Sequence, residues 1–316
     1  MIDFRYHLVS IVAIFLALAT GIVLGTTVLQ EPALQSARQV TDTLNKETDD
    51  LRGQLDVLRK RERGNDSFVA ALTQELVSGR LAGQRVVLVE VPGLNSSLRE
   101  QQEQVLTQAG AAVTGRIALT EAYTDPKSTL LDQLSAQFKP AAVAFPENAS
   151  QYQKAATVLG AALMGKEDAA TPVAGTTLAA FEQAGVISVE EEITDRATLA
   201  VIFAPETVYS GENADTQAGA IVELASGLDA AGRGAVVTAT AAATAPGGLI
   251  AAVRDDSEAA AQVSTVDSLD MPSGRVVVVY ALREQIDGGA GQYGIGTGGK
   301  TFQPPVASPS PTPTGG

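Results

Sequence analysis

The sequence predicts an α/β protein: an N-terminal transmembrane helix, a coiled-coil stalk, a Rossmann-like, mostly parallel α/β domain, and a disordered tail. Three observations lead there. Leu8 to Leu29 is apolar and uncharged, a seven-residue apolar register starts at Leu34, and β-branched runs such as Arg85–Val91 alternate with helical stretches.

The apolar run meets the roughly 20 residues that a helix needs to cross a bilayer. Arg5 and His7 precede it and Glu31 follows it, so the positive-inside rule puts the N-terminus in the cytoplasm and the remainder outside. The expected location is the cell membrane, crossed once. Ala17-Leu18-Ala19 also fits a signal cleavage site, which leaves an outer-membrane location open, but the apolar run continues to Leu29 and favours an anchor. Ala17, Gly21 and Gly25 share one helix face, a spacing that lets two membrane helices approach and that is also common in single ones.

Residues 31–65 form the expected stalk. Pro32 suits the first turn of a new helix, and the seam comprises Leu34, Ala37, Leu44, Leu51, Leu55 and Leu58, with Thr41 and Thr48 weakening it. Homodimer, hetero-complex with another membrane protein, and single solvated helix all fit this pattern. Gly64-Asn65-Asp66 predicts a break, after which Asp66 caps a helix with Phe68, Leu72 and Leu76 as its buried stripe.

Residues 66–300 read as the exported domain, divisible into halves 66–190 and 191–300. Strands are predicted at Arg85–Val91, Val113–Leu119, Ala141–Phe145, Leu199–Phe203, Ala235–Thr240 and Val276–Tyr280. Helices are predicted at 96–109, 126–138, 150–163, 178–184, 215–231 and 282–285. Residues 301–316, rich in Pro, Ser, Thr and Gly, form the expected tail.

Composition narrows function. The 316 residues carry a net charge of −14, which opposes nucleic-acid binding, and the absence of cysteine removes thiolate chemistry and disulfides. His7 is the sole histidine and flanks the membrane segment, so no histidine base or triad is available outside. Glu190-Glu191-Glu192 and Asp255-Asp256 read as solvated faces. Gly289 to Gly294 matches a dinucleotide fingerprint and Gly294 to Thr301 a phosphate loop, but no helix follows either one, so no nucleotide is expected. No cofactor, metal or catalytic residue is assigned. The glycines between Gly288 and Gly299 suit a partner-binding loop anchored by Tyr293, or a loose lead-in to the tail.

Arg5, His7, Ser10, Gly21 and Gly25, then Ser264, Thr265 and Asp267, and finally Gly289, Gly291, Tyr293 and Gly294 together resemble the actinobacterial MctB family, the mycobacterial copper transport protein B group. The resemblance covers almost the whole chain. It implies a non-enzymatic envelope protein in copper efflux, with the two C-terminal motifs as possible partner contacts. Corynebacterial relatives imply an alternative, a scaffold that binds a membrane partner and regulates wall remodelling at division. The residues offer copper little: three scattered methionines, one histidine and no thiolate.

Overall fold

The computed structural model describes residues 4–141 and 143–305, with the backbone alone for 27–37. The chain divides into two compact units, Met1–Asn65 and Asp66–Gly316.

The first unit is helical throughout its described length. It belongs to α1 (Phe4–Val77), whose segment Phe4–Thr26 has a mean hydropathy of 2.6 and is not buried against any other part of the chain. The expected new start at Pro32 and the break at Gly64-Asn65-Asp66 do not occur: one helix runs through both, and at Gly64 an isolated glycine costs only about 1 kcal/mol and leaves the hydrogen-bond ladder intact.

In the second unit the last turns of α1 bury Val77 and Thr73, with Val69 partly covered, whereas Phe68 and Leu76 are exposed. The buried stripe is therefore rotated by one residue from the expected Phe68, Leu72, Leu76 set. Strand β1 (Arg85–Glu90) follows, then α2 (Ser96–Gln108), β2 (Ala112–Leu119), α3 (Leu130–Gln137), α4 (Gln151–Leu163), α5 (Gly175–Gln183), β3 (Ile187–Glu191) and β4 (Leu199–Phe203). The chain continues with α6 (Ala214–Ala231), β5 (Ala235–Thr238), α7 (Leu249–Asp255), α8 (Ser257–Gln262), β6 (Ser264–Val266), α9 (Pro272–Ile286) and β7 (Gln292–Tyr293).

All seven strands form one sheet in the order β3-β2-β1-β4-β5-β6-β7, parallel except for the β2–β3 pair. This is a doubly wound arrangement whose order reverses between β1 and β4. Alternation along β1 assigns its two faces. Val87 and Val89 pack into a core covered by α4, α5, α6 and α7, while Val86 and Leu88 pack into a second core covered by α2, α9 and the end of α1. The expected halves 66–190 and 191–300 are wings of this one sheet, joined where β1 pairs with β4.

Two predicted strands are corrected. Val276–Tyr280 lies within α9: Pro272 starts the helix, and Val276 to Val279 are all buried because α9 is covered nearly all round, so apolar residues mark every position and erase the helical period. Ala141–Phe145 is not a strand in its described residues, and Ala142 lies outside them. Pro140 and Pro146 bracket it and their carbonyls close turns with Val143 and Ala149. The edge position beside β2 goes to antiparallel β3 instead. Of the expected tail, Thr301 bridges to Tyr293 and Pro304 is buried, so the ordered domain extends to 305; residues 306–316 lie outside the described set.

Candidate functional site

The reversal between β1 and β4 is where doubly wound sheets usually receive ligands. Here the loops that follow β1 and β4 approach each other closely. Gly93 takes φ +92°, and a side-chain carbon there would stand 3.3 Å from Pro205 Cβ. The N-terminus of α2, which would otherwise face an anion, is capped by Asn95 Oδ1, which accepts from the Ser97 N–H at 3.1 Å. Beside it Glu90 accepts from Arg116 at 2.7 Å and stands 2.8 Å from Arg99 Nε, a part-buried network extended by Glu103 and Glu100. Its carboxylate holds the Arg116 guanidinium above its ordinary value.

The two C-terminal motifs meet at the opposite edge of the sheet. β6 pairs in parallel with β7, Thr265 against Gln292 and Val266 against Tyr293. Asp267 is fully buried; its Oδ1 accepts from the N–H groups of Ile295 at 2.7 Å and Gly296 at 3.2 Å, and its Oδ2 pairs with Arg254 at 2.9 Å. Arg254 also donates to Thr265 Oγ1 at 2.9 Å and to the carbonyls of Tyr293 at 2.8 Å and Thr297 at 2.6 Å. Ser264 Oγ accepts from Gln285 Nε2 at 2.9 Å and from the Gly291 N–H at 3.2 Å. Tyr293 donates to Glu284 in a short bond, and burial together with that carboxylate pushes the phenol well above its usual range.

The glycines are steric requirements of this clasp. A Cβ on Gly294, which has φ +124°, would strike the Asp267 carboxylate; one on Gly291 would strike the Tyr293 hydroxyl; and one on Gly289 would come within 2.8 Å of Glu284 Cγ. Ser264, Thr265, Asp267, Gly289, Gly291, Tyr293 and Gly294 are thus brought into one hydrogen-bonded closure of the last strand. Arg254, Gln285, Gln292 and Thr244 complete it and were missed by sequence reasoning, since single polar residues in α7, α9 and an Ala-rich turn carry no pattern.

The remaining predicted residues lie elsewhere. Ala17, Gly21 and Gly25 sit on the exposed apolar part of α1, and nothing stands within 4 Å of either glycine's missing side chain. Leu44, Leu51, Leu55 and Leu58 are 49–59% exposed, so no described part of the chain covers that seam. Leu34 and Ala37 fall outside the residues whose side chains are described. Among the described residues no group of three His, Asp or Glu side chains could hold a metal ion. Met164 is buried and Met271 half-buried, on separate elements.

Architecture and motifs together define an α/β protein with one exposed, membrane-length apolar helix and a sheet closed by a glycine-rich C-terminal clasp. The chain belongs to the MctB family: the model described as "Copper transport outer membrane protein, MctB" matches residues 1–304. It is 31% identical over 310 residues to the copper transporter MctB of Mycobacterium tuberculosis and to that of Mycobacterium bovis, covering 94% of this chain and 98% of each relative. To the copper transporter MctB of Mycobacterium leprae it is 28% identical, over 96% of this chain and all of the relative.

Proposed function

We propose that this chain serves copper export from the cell envelope as an anchored, non-catalytic assembly protein that does not itself chelate copper. The observation that carries this is the pairing of an exposed apolar helix, Phe4–Thr26, with a head whose strands all belong to one helix-covered open sheet. Such strands do not form a membrane barrel, and one helix encloses no pore unless copies assemble. Copper ligands are sparse in the sequence, which has no cysteine, a single histidine and three methionines far apart. In this reading the N-terminus is cytoplasmic and the head lies outside.

The stalk then supplies the assembly contact, as a parallel two-stranded coil with a second copy. In the heptad register Glu47 of one copy faces Arg52 of the other, while an antiparallel pair would line up Arg38, Arg52 and Arg59 in one basic column. Val40, Leu44, Leu51, Leu55 and Leu58 are all exposed, and a helix with such a stripe gains most of its stability from a partner.

A deletion strain complemented with wild type or with Leu44→Lys/Leu51→Lys tests both statements. Wild type should restore copper tolerance and low cell copper, and the variant should not, while still reaching the membrane. Unchanged copper handling in the deletion strain overturns the export role. Wall or division defects without copper sensitivity would instead favour the scaffold in wall remodelling.

A further inference from the structure

A cleft of about 820 Å³ lies at the amino end of β4, away from the clasp, between the last turns of α4 and α6 and the first turn of α5. One wall is apolar, built from Phe138, Val158, Ala161, Met164 and Ala230. The rest of the lining includes Lys166, Thr171, Thr177 and Arg196, with Glu167 as the one acidic member.

Among the described residues the side chains of Thr171, Thr177 and Arg196 make no hydrogen bond or ion pair, and Lys166 makes only a longer-range charge contact with Asp229. Arg196 Nε is shut off from water yet meets no hydrogen-bond partner, and its guanidinium enters no ion pair among the described residues. Its backbone is fully used, with the N–H on the Thr171 carbonyl and the carbonyl accepting from Arg85 Nε at 2.7 Å, so the side chain is held by its base and not by its head. Thr177 is only 7% exposed, and its hydroxyl has no partner among the described residues. Helix α5 starts without a side-chain cap at Ala174, so its positive end adds to the same rim. Leaving the buried Arg196 Nε unpaired costs about 1–3 kcal/mol, a cost that a ligand or water filling the site would remove.

We propose that this cleft binds a small amphipathic monoanion, a carboxylate with an apolar body. The head would lie against Arg196, Lys166 and Thr177, and the body against Phe138, Val158 and Met164. Among the lining residues Lys166 and Arg196 against Glu167 leave one net positive charge, further moderated by Asp229 near Lys166, which suits a carboxylate better than a phosphate dianion. A mostly apolar lining with a few convergent polar groups is the usual composition of a small-molecule site.

The test is calorimetric titration of octanoate, octanol and inorganic phosphate into the full chain held in lipid nanodiscs, with empty discs as the blank. Octanoate should bind saturably, and octanol and phosphate at least about tenfold more weakly. Arg196→Gln should weaken octanoate at least about tenfold, and Ala161→Phe, which fills the apolar wall, should abolish the signal. Arg196→Gln should melt at the wild-type temperature because its head group holds nothing in the fold, so this variant is decisive even if Ala161→Phe unfolds. No saturable octanoate signal, equal binding of phosphate, or octanoate binding unaffected by Arg196→Gln overturns the proposal.

Discussion

Arg254 and Asp267 form an ion pair of 2.9 Å whose side chains are 4% and 0% exposed, and each partner reaches across to the loop that follows β7. One carboxylate therefore ties α7, β6 and residues 295–296 into a single unit. Removing one partner of a buried pair leaves the other uncompensated, so Asp267→Asn should destabilise the domain by about 3–5 kcal/mol. Urea unfolding of the variant and wild type at pH 7 checks this, and a loss below about 1 kcal/mol would show that the clasp does not hold the edge.

Gly294→Ala tests the same clasp sterically. The positive φ and the collision with the Asp267 carboxylate should cost more than about 3 kcal/mol. Hydrogen exchange should then show lost protection at Thr265 and Asp267, whose N–H groups bond to the carbonyls of Gly291 and Tyr293.

Helices α4 and α6 touch through glycines. A Cβ on Gly160 would stand 2.6 Å from the Gly227 carbonyl, and one on Gly227 2.7 Å from Ala156 Cβ. Gly160→Val should therefore destabilise by about 1–3 kcal/mol through overpacking. Gly219, which has open space around it, should accept Ala without loss, measured by the same unfolding curve.

Burial raises the Asp229 carboxyl to about 6, opposed by its hydrogen bond from the Ala235 N–H and by the charge of Lys166. Between about pH 4 and 6 the folded chain therefore holds this proton and the unfolded chain does not, so stability falls as pH rises through that window. Asp229→Asn keeps the acceptor for Ala235 and should remove this part of the fall. The difference in urea midpoint between pH 4.5 and 7 should be more favourable to pH 7 in the variant than in wild type; an unchanged difference would refute the assignment.

In the membrane segment Gly21→Ile with Gly25→Ile should leave insertion intact and reduce self-association by at least about tenfold, read by energy transfer between labelled chains in vesicles. Equal transfer in both would remove the small-residue face as a contact.

The fold was legible wherever burial leaves a periodic trace. β1 and β4, covered on both faces, read as continuous apolar runs, and α4 and α6 were found close to their true limits. Helix α9 was misread because Val276 to Val279 are buried on every side, which makes a helix and a strand look alike over a short window. β6 and β7 are only three and two residues long and owe their place to Asp267, Arg254 and Gln292, contacts no local pattern encodes. The motif residues of the clasp stood out in sequence, while their shared task became visible only once 264–267 and 289–296 met. The cleft around Arg196 left no trace, since its polar groups come from three separate segments.

The clasp also sets an order of events during synthesis. β6 cannot be covered on its outer side, nor Asp267 neutralised by its loop partners, until residues 292–301 have emerged from the ribosome. Until then a nascent head exposes an open sheet edge beside a buried-type carboxylate, and any chaperone that receives the chain would find its handle there.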